Sequence, residues 1–239
     1  MNRRVYLATV AALVVTIAIA ATLVVVARHH SSASAATSLR LSGLPSVVTT
    51  SEANAMTLSP VPARPAPGFT LVDQTGRTFS LAQFRGHPVV INFMDSHCTD
   101  ICPLVAAELV DAEHDLGAAA KGTVFLAVNV NPYHRAVADV AAFSAGHGLD
   151  TIATWHFLTG PLATLRSIWR AYGVDVVARG YNADVIHSSI TYFLDPRGRE
   201  RYVASPVVDH TKSGTSYLPP NVLATWGRGI AHVADSLAS

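Results

Sequence analysis

Two cysteines stand four residues apart in Cys98-Thr99-Asp100-Ile101-Cys102-Pro103, and the 239-residue chain holds no others. Thiols this close act as a pair. They can hold a thiophilic metal, cycle between dithiol and disulfide, or brace a loop. Two sulfurs alone make a poor metal site, so a metal would need a third donor from elsewhere in the chain. Eleven histidines are available. His29 and His30 read as solvated. His87 and His134 beside turns, and His114, His147 and His232 in or beside helices, read as surface residues. His156 reads as a half-buried strand residue. His97 adjoins Cys98 and could tune it. His187 follows a loop containing Gly180 and Asn182 and precedes a β-branched and aromatic stretch. From a strand end it can reach a neighbouring helix terminus.

These side chains need a frame. Residues 88–94 are apolar on both parities, which predicts a central strand buried on two faces. Leu104, Val105, Leu109, Ala112 and Leu116 recur at helical spacing, and Gly117 ends the run. Proline is best tolerated at the first helical position, so Pro103 makes Cys102 the N-cap. Both sulfurs then sit at a helix amino terminus, past the carboxyl end of a central strand, where α/β sheets place ligands. The helix dipole there favours thiolate, so both thiols are expected to be more acidic than usual.

Further strands are expected at 69–72, 77–79, 123–130, 155–158, 188–194 and 200–204. Further helices are expected at 136–145, 161–172 and 221–237. The alternation predicts a three-layer α/β domain with a mixed sheet.

The formal net charge is +1, with 50% hydrophobic and 14% charged residues, which argues against a nucleic-acid partner. Residues 5–27 carry no charge. As a helix they would measure about 35 Å, enough to span a bilayer core of about 30 Å. Arg3 and Arg4 precede the run, so its amino terminus is expected in the cytoplasm and the body outside. A cleaved signal ending near Ala33-Ser34-Ala35 is the alternative, and it exports the body equally. The expected organisation is a cytoplasmic tip at 1–4, an anchor at 5–27, a Ser/Ala/Pro-rich tether at 28–66 and one domain at 67–239. Proline spacing over 60–67 reads as a semi-stiff spacer.

Together these residues resemble the Sco/SenC family of membrane-tethered, thioredoxin-fold copper proteins. The resemblance rests on Val89-Val90-Ile91-Asn92-Phe93 leading to Cys98-Thr99-Asp100-Ile101-Cys102-Pro103, and on His187-Ser188-Ser189-Ile190-Thr191-Tyr192-Phe193-Leu194-Asp195-Pro196. Trp155-His156-Phe157-Leu158-Thr159-Gly160, Tyr172-Gly173-Val174 and Phe69-Thr70-Leu71-Val72-Asp73 match further elements of the family pattern. It implies a thioredoxin-like domain in which Cys98, Cys102 and His187 bind copper, as Cu(I) or Cu(II). It also implies a metallochaperone at the outer face of the membrane. The partner would be the copper subunit of a haem-copper cytochrome oxidase, or another exported copper protein. The alternative is a thiol–disulfide reductase that keeps a client's copper-binding cysteines reduced, using Cys98 and Cys102 without His187. A monomer is expected in either case.

Two departures from the family pattern stand out. The segment Asn131-Pro132-Tyr133-His134-Arg135-Ala136 lacks the acids of the family's Asp-Pro-x-Arg-Asp-Thr, and Ile186 replaces an aspartate before the histidine. Both remove negative charge around the expected site and leave its three ligands in place.

Overall fold

The computed structural model describes residues 42–183, 185–206 and 208–238. The anchor expected at 5–27 lies outside them. Among the described residues no helix is long and apolar enough to cross a membrane.

The chain first forms helix α1 (Thr50–Ala55) and strand β1 (Ser59–Pro65). A short hairpin follows, β2 (Thr70–Val72) and β3 (Thr78–Ser80), then strand β4 (Val89–Met94) and helix α2 (Ile101–Leu116). Strand β5 (Val124–Asn129), helix α3 (Val137–Gly146), strand β6 (Trp155–Leu158) and helix α4 (Leu162–Ala171) come next. A second hairpin, β7 (Val176–Ala178) and β8 (Val185–His187), precedes β9 (Thr191–Leu194) and β10 (Arg199–Ala204). A third, β11 (Asp209–His210) and β12 (Ser216–Tyr217), leads into the closing helix α5 (Pro220–Leu237).

The main sheet has six strands in the order β1-β10-β9-β4-β5-β6. β4, β5 and β6 run parallel, while β9 is antiparallel to β4. The sheet is therefore mixed, as expected. All six residues of β4 are buried, because helices cover both faces. On one face Val89, Ile91 and Phe93 join Leu126, Val128 and Tyr192 against Leu165, Ile168 and Trp169 of α4. On the other, Asn92 and Met94 face Cys102, Val105 and Glu108 of α2 across a small cavity. Helix α5 packs on α2 so closely that a Cβ on Gly227 would stand 2.6 Å from the Asp111 Cβ. These contacts make the three layers.

Three expectations change. The stretch 28–66 is not all tether, since one compact unit begins at Leu44. Residues 59–65 pair antiparallel with β10, and the Arg64 guanidinium meets the buried Glu200 carboxylate at 2.6 Å. Helix α1 is fixed by a reciprocal Thr49–Glu52 capping box, and the Trp226 indole N–H donates to Ala55 O. Proline composition concealed the strand, because an edge strand tolerates prolines that a central one does not. The second change concerns the cysteine loop. Helix α2 starts at Ile101, with Asp100 as its flanking residue, so Cys102 lies inside the first turn. The first four helical N–H groups have no intrahelical partner, so Pro103 is tolerated two positions later than N1. The third change moves His187, which ends β8 rather than opening the next strand.

Candidate functional site

The loop from Asp95 to Asp100 carries the chain from the end of β4 into α2. Both cysteines are free thiols, Cys98 half-buried and Cys102 buried. Backbone N–H groups of Asp100 and Cys102 approach the Cys98 sulfur at 3.5 and 3.4 Å. The Asp95 N–H donates to Cys102 Sγ at 3.4 Å. From the opposite side the β7–β8 hairpin delivers His187, whose Nε2 stands 3.9 Å from Cys102 Sγ. Its Nδ1 lies 3.1 Å from the Ser188 carbonyl, which can only accept. That bond assigns the ring proton to Nδ1 and leaves the Nε2 lone pair facing the sulfur.

The structure thus gathers Cys98, Cys102 and His187 in one place. Among the described residues no group of three or more His, Cys, Asp or Glu side chains is drawn tightly enough to hold a metal as it stands. The donor set nevertheless fits one. A metal bonded to thiolate at about 2.3 Å and imidazole at about 2.0 Å keeps those atoms roughly 3.5–4 Å apart. Cys102 and His187 are already at that spacing.

The two thiols differ in acidity, against the expectation that both would be lowered. Cys98 is lowered to about 7, chiefly by the hydrogen bond from the Cys102 side chain. Burial opposes this, and the Cys102 and Asp100 backbone amides add to it. Cys102 is pushed well up, first by that same bond to Cys98 and then by burial. The pair shares one easily lost proton, and it leaves from the more exposed sulfur. Burial lowers the His187 pKa, against the opposing pull of the Ser188 carbonyl and Asp95, which favours the neutral imidazole a metal requires.

Asp95 was not legible as part of the site. It is buried, and its Oδ1 accepts from the His97 backbone N–H at 2.8 Å and from Asn131 Nδ2 at 2.7 Å. Asn131 in turn accepts the N–H groups of Tyr133 and His134. The segment that lacks the family's acids therefore holds an acid belonging to the cysteine loop. His97 stacks on His134, with ring centroids 4.0 Å apart. Other histidines are engaged elsewhere: His156 with Asp73 and His232 with Glu52, each at 3.1 Å.

An open cleft of about 280 Å³ lies outside the pair, lined by Cys98, Asp100, His187, His210 and Ser216 among others. The β11–β12 hairpin forms one wall. It is latched to the cysteine loop by the Asp100 carboxylate, which accepts from Ser216 N at 2.8 Å and Ser216 Oγ at 2.9 Å.

The SCO1/SenC family model matches residues 60–212. The mitochondrial SCO2 homologue of Bos taurus is 31% identical over 136 residues, covering 54% of this chain. The match takes in 50% of that relative, so the chain spans about half its length. Among solved structures, Bradyrhizobium japonicum ScoI with copper bound is 21% identical. The likeness covers 69% of this chain and 99% of that one, with a TM-score of 0.52. BsSco, solved in work on its disulfide switch, is described as a member of the Sco family of cytochrome c oxidase assembly proteins. It is 25% identical over 58% of this chain and 81% of its own, with a TM-score of 0.50. These likenesses establish the fold as thioredoxin-like.

Proposed function

The chain belongs to the SCO1/SenC family, and from that premise we propose that it is a copper metallochaperone. Copper is its cargo, received and released at Cys98, Cys102 and His187. Proteins of this family bind copper and serve cytochrome oxidase assembly. The observation that carries the reading here is the 3.9 Å approach of a neutral imidazole nitrogen to Cys102 Sγ, with Cys98 alongside. Two soft sulfurs and one imidazole suit Cu(I). The client would be the copper subunit of a haem-copper oxidase, with the domain held at the outer face of the membrane by residues 5–27. Confinement to one membrane would raise its effective concentration near such a client.

The difference in thiol acidity favours a second use of the same pair. An acidic, half-buried Cys98 beside a buried Cys102 suits thiol–disulfide exchange. The Cys98 thiolate would attack a client disulfide, forming a mixed disulfide and expelling one client thiolate. Cys102 would then lose its proton and attack the Cys98 sulfur, releasing the second client thiolate. The client leaves reduced by two electrons and this chain holds the Cys98–Cys102 disulfide.

Copper titration of the reduced protein separates the two. His187→Ala is expected to weaken Cu(I) binding by at least 10-fold while leaving disulfide reduction intact. Equal Cu(I) affinity in the variant and wild type would remove the three-ligand site.

A further inference from the structure

A second and much smaller space, lined by Cys102, shares Ile101, His187 and Ser189 as walls with the open cleft. It measures about 10 Å³, and its walls include Asn92, Cys102, Glu108, His187 and Thr191. Two of its wall residues carry an unsatisfied polar atom. Asn92 Nδ2 and Glu108 Oε1 are both buried, and neither has a hydrogen-bond partner among the described residues. Buried polar atoms are rarely left so, and each instance calls for a physical reason.

The orphan on Asn92 is not an accident of amide orientation. Thr191 Oγ1 bonds Asn92 Oδ1 at 2.7 Å, which uses one end of the amide. Were the amide turned over, the threonine hydroxyl could accept from Nδ2 and leave Oδ1 unmet instead. Either way one end of the amide needs a partner. Glu108 lies on α2 six residues beyond Cys102, about 9 Å further along the helix axis. It is 1% exposed. Burial, and secondarily the Asp111 carboxylate, push its pKa up to about 8, so the carboxyl stays protonated near neutral pH.

Wholly apolar cavities stay dry, whereas one that also presents unsatisfied polar atoms and has room for a single water-sized sphere takes up water, which makes about three hydrogen bonds. This one is of the second kind: Phe93, Ile101, Val105 and Ile190 line it beside the polar groups. Asn92, Glu108 and Cys102 offer three partners here. We propose that the cavity is a built hydration site: one ordered water bonded to the Asn92 amide, the Glu108 carboxyl and Cys102 Sγ. Through that water Glu108 acts as a positioning residue for the thiol–imidazole pair. It touches neither cargo nor client. The hydration site stands on the cavity and its orphaned atoms alone; the positioning role rests also on the copper reading above.

A high-resolution crystal structure of the reduced, metal-free protein, with water-proton relaxation dispersion, tests the first part. One ordered water is expected in the wild type, retained in Glu108→Gln and displaced in Glu108→Met. An empty cavity in the wild type overturns the proposal, even if Glu108→Met does not fold. Cu(I) affinity measured by chelator competition tests the second part. Glu108→Gln is expected to match the wild type, and Glu108→Met to bind about 10-fold more weakly. Loss of the water with unchanged affinity would overturn the positioning role. Failure of the wild type to bind Cu(I) would instead overturn the copper reading, and the water would still be there to find.

Discussion

At Cys98 and Cys102 the same side chain is held in two electrostatic states. Cys98 accepts backbone N–H groups at the start of α2 and the neighbouring thiol, while Cys102 is sealed beneath it. Reactivity toward an alkylating agent follows the thiolate fraction. Cys98 has its pKa lowered from 9.0 to about 7. Its alkylation rate is therefore expected to rise through a midpoint near pH 7, two units below an ordinary thiol, with Cys102 unmodified. Peptide mapping across pH 5–9 checks both parts, and equal labelling of the two sulfurs would contradict them. At this scale the sequence was most legible where residue types are scarce. The two cysteines could be singled out because no others compete, whereas His187 stood out from eleven histidines only through the resemblance to the Sco/SenC pattern. Asp95, Asn131 and Glu108 could not be singled out, since acids and amides are common. Their roles depend on burial, which only the assembled sheet and helices decide.

Among the elements, α2 is the one on which the site depends, because its first turn bears Cys102 and its middle bears Glu108. Its far side is set by α5. Gly227 meets the Asp111 Cβ and the Ala112 backbone N there, at 2.6 and 3.3 Å from where a Cβ would stand. An isolated helix would gain up to about 1 kcal/mol from Gly→Ala. Here the added methyl would strike atoms near the α2 backbone, which cannot turn aside. Gly227→Ala is expected to destabilise the fold by about 1–3 kcal/mol; a higher urea midpoint would contradict the packing described. The longer strands and helices were readable from periodicity, β4 and β5 best of all because they are apolar on both parities. Of the three short hairpins only β2–β3 was, from its Asp73–Gly76 turn. β7–β8 and β11–β12 contain two or three residues per strand, too few to show a period. Yet one delivers His187 and the other walls the cleft.

For the whole molecule, the folded unit is larger at its amino-terminal side than composition implies. Met56 and Leu58 are fully buried, and Ala55 O receives the Trp226 indole N–H. A chain beginning at Pro67 loses these along with β1. It is expected to be less stable by on the order of 5 kcal/mol than one beginning at Gly43, given about 2–5 kcal/mol for each large buried apolar side chain removed. Coincident urea midpoints for the two would return residues 44–66 to the role of tether. The same strand bears on how molecules meet one another. A sheet is open at its two outermost strands, and an open strand can template another chain. Here β1 closes one border with Pro60, Pro62 and Pro65, none of which has an N–H to offer. At the other border the Gln74 side chain stands in for a neighbouring strand. Its amide donates to Trp155 O at 3.1 Å and accepts from Phe157 N at 2.8 Å. Both borders of the six-stranded sheet are thus guarded, which hinders crowded copies of the domain from stitching themselves into fibres along it.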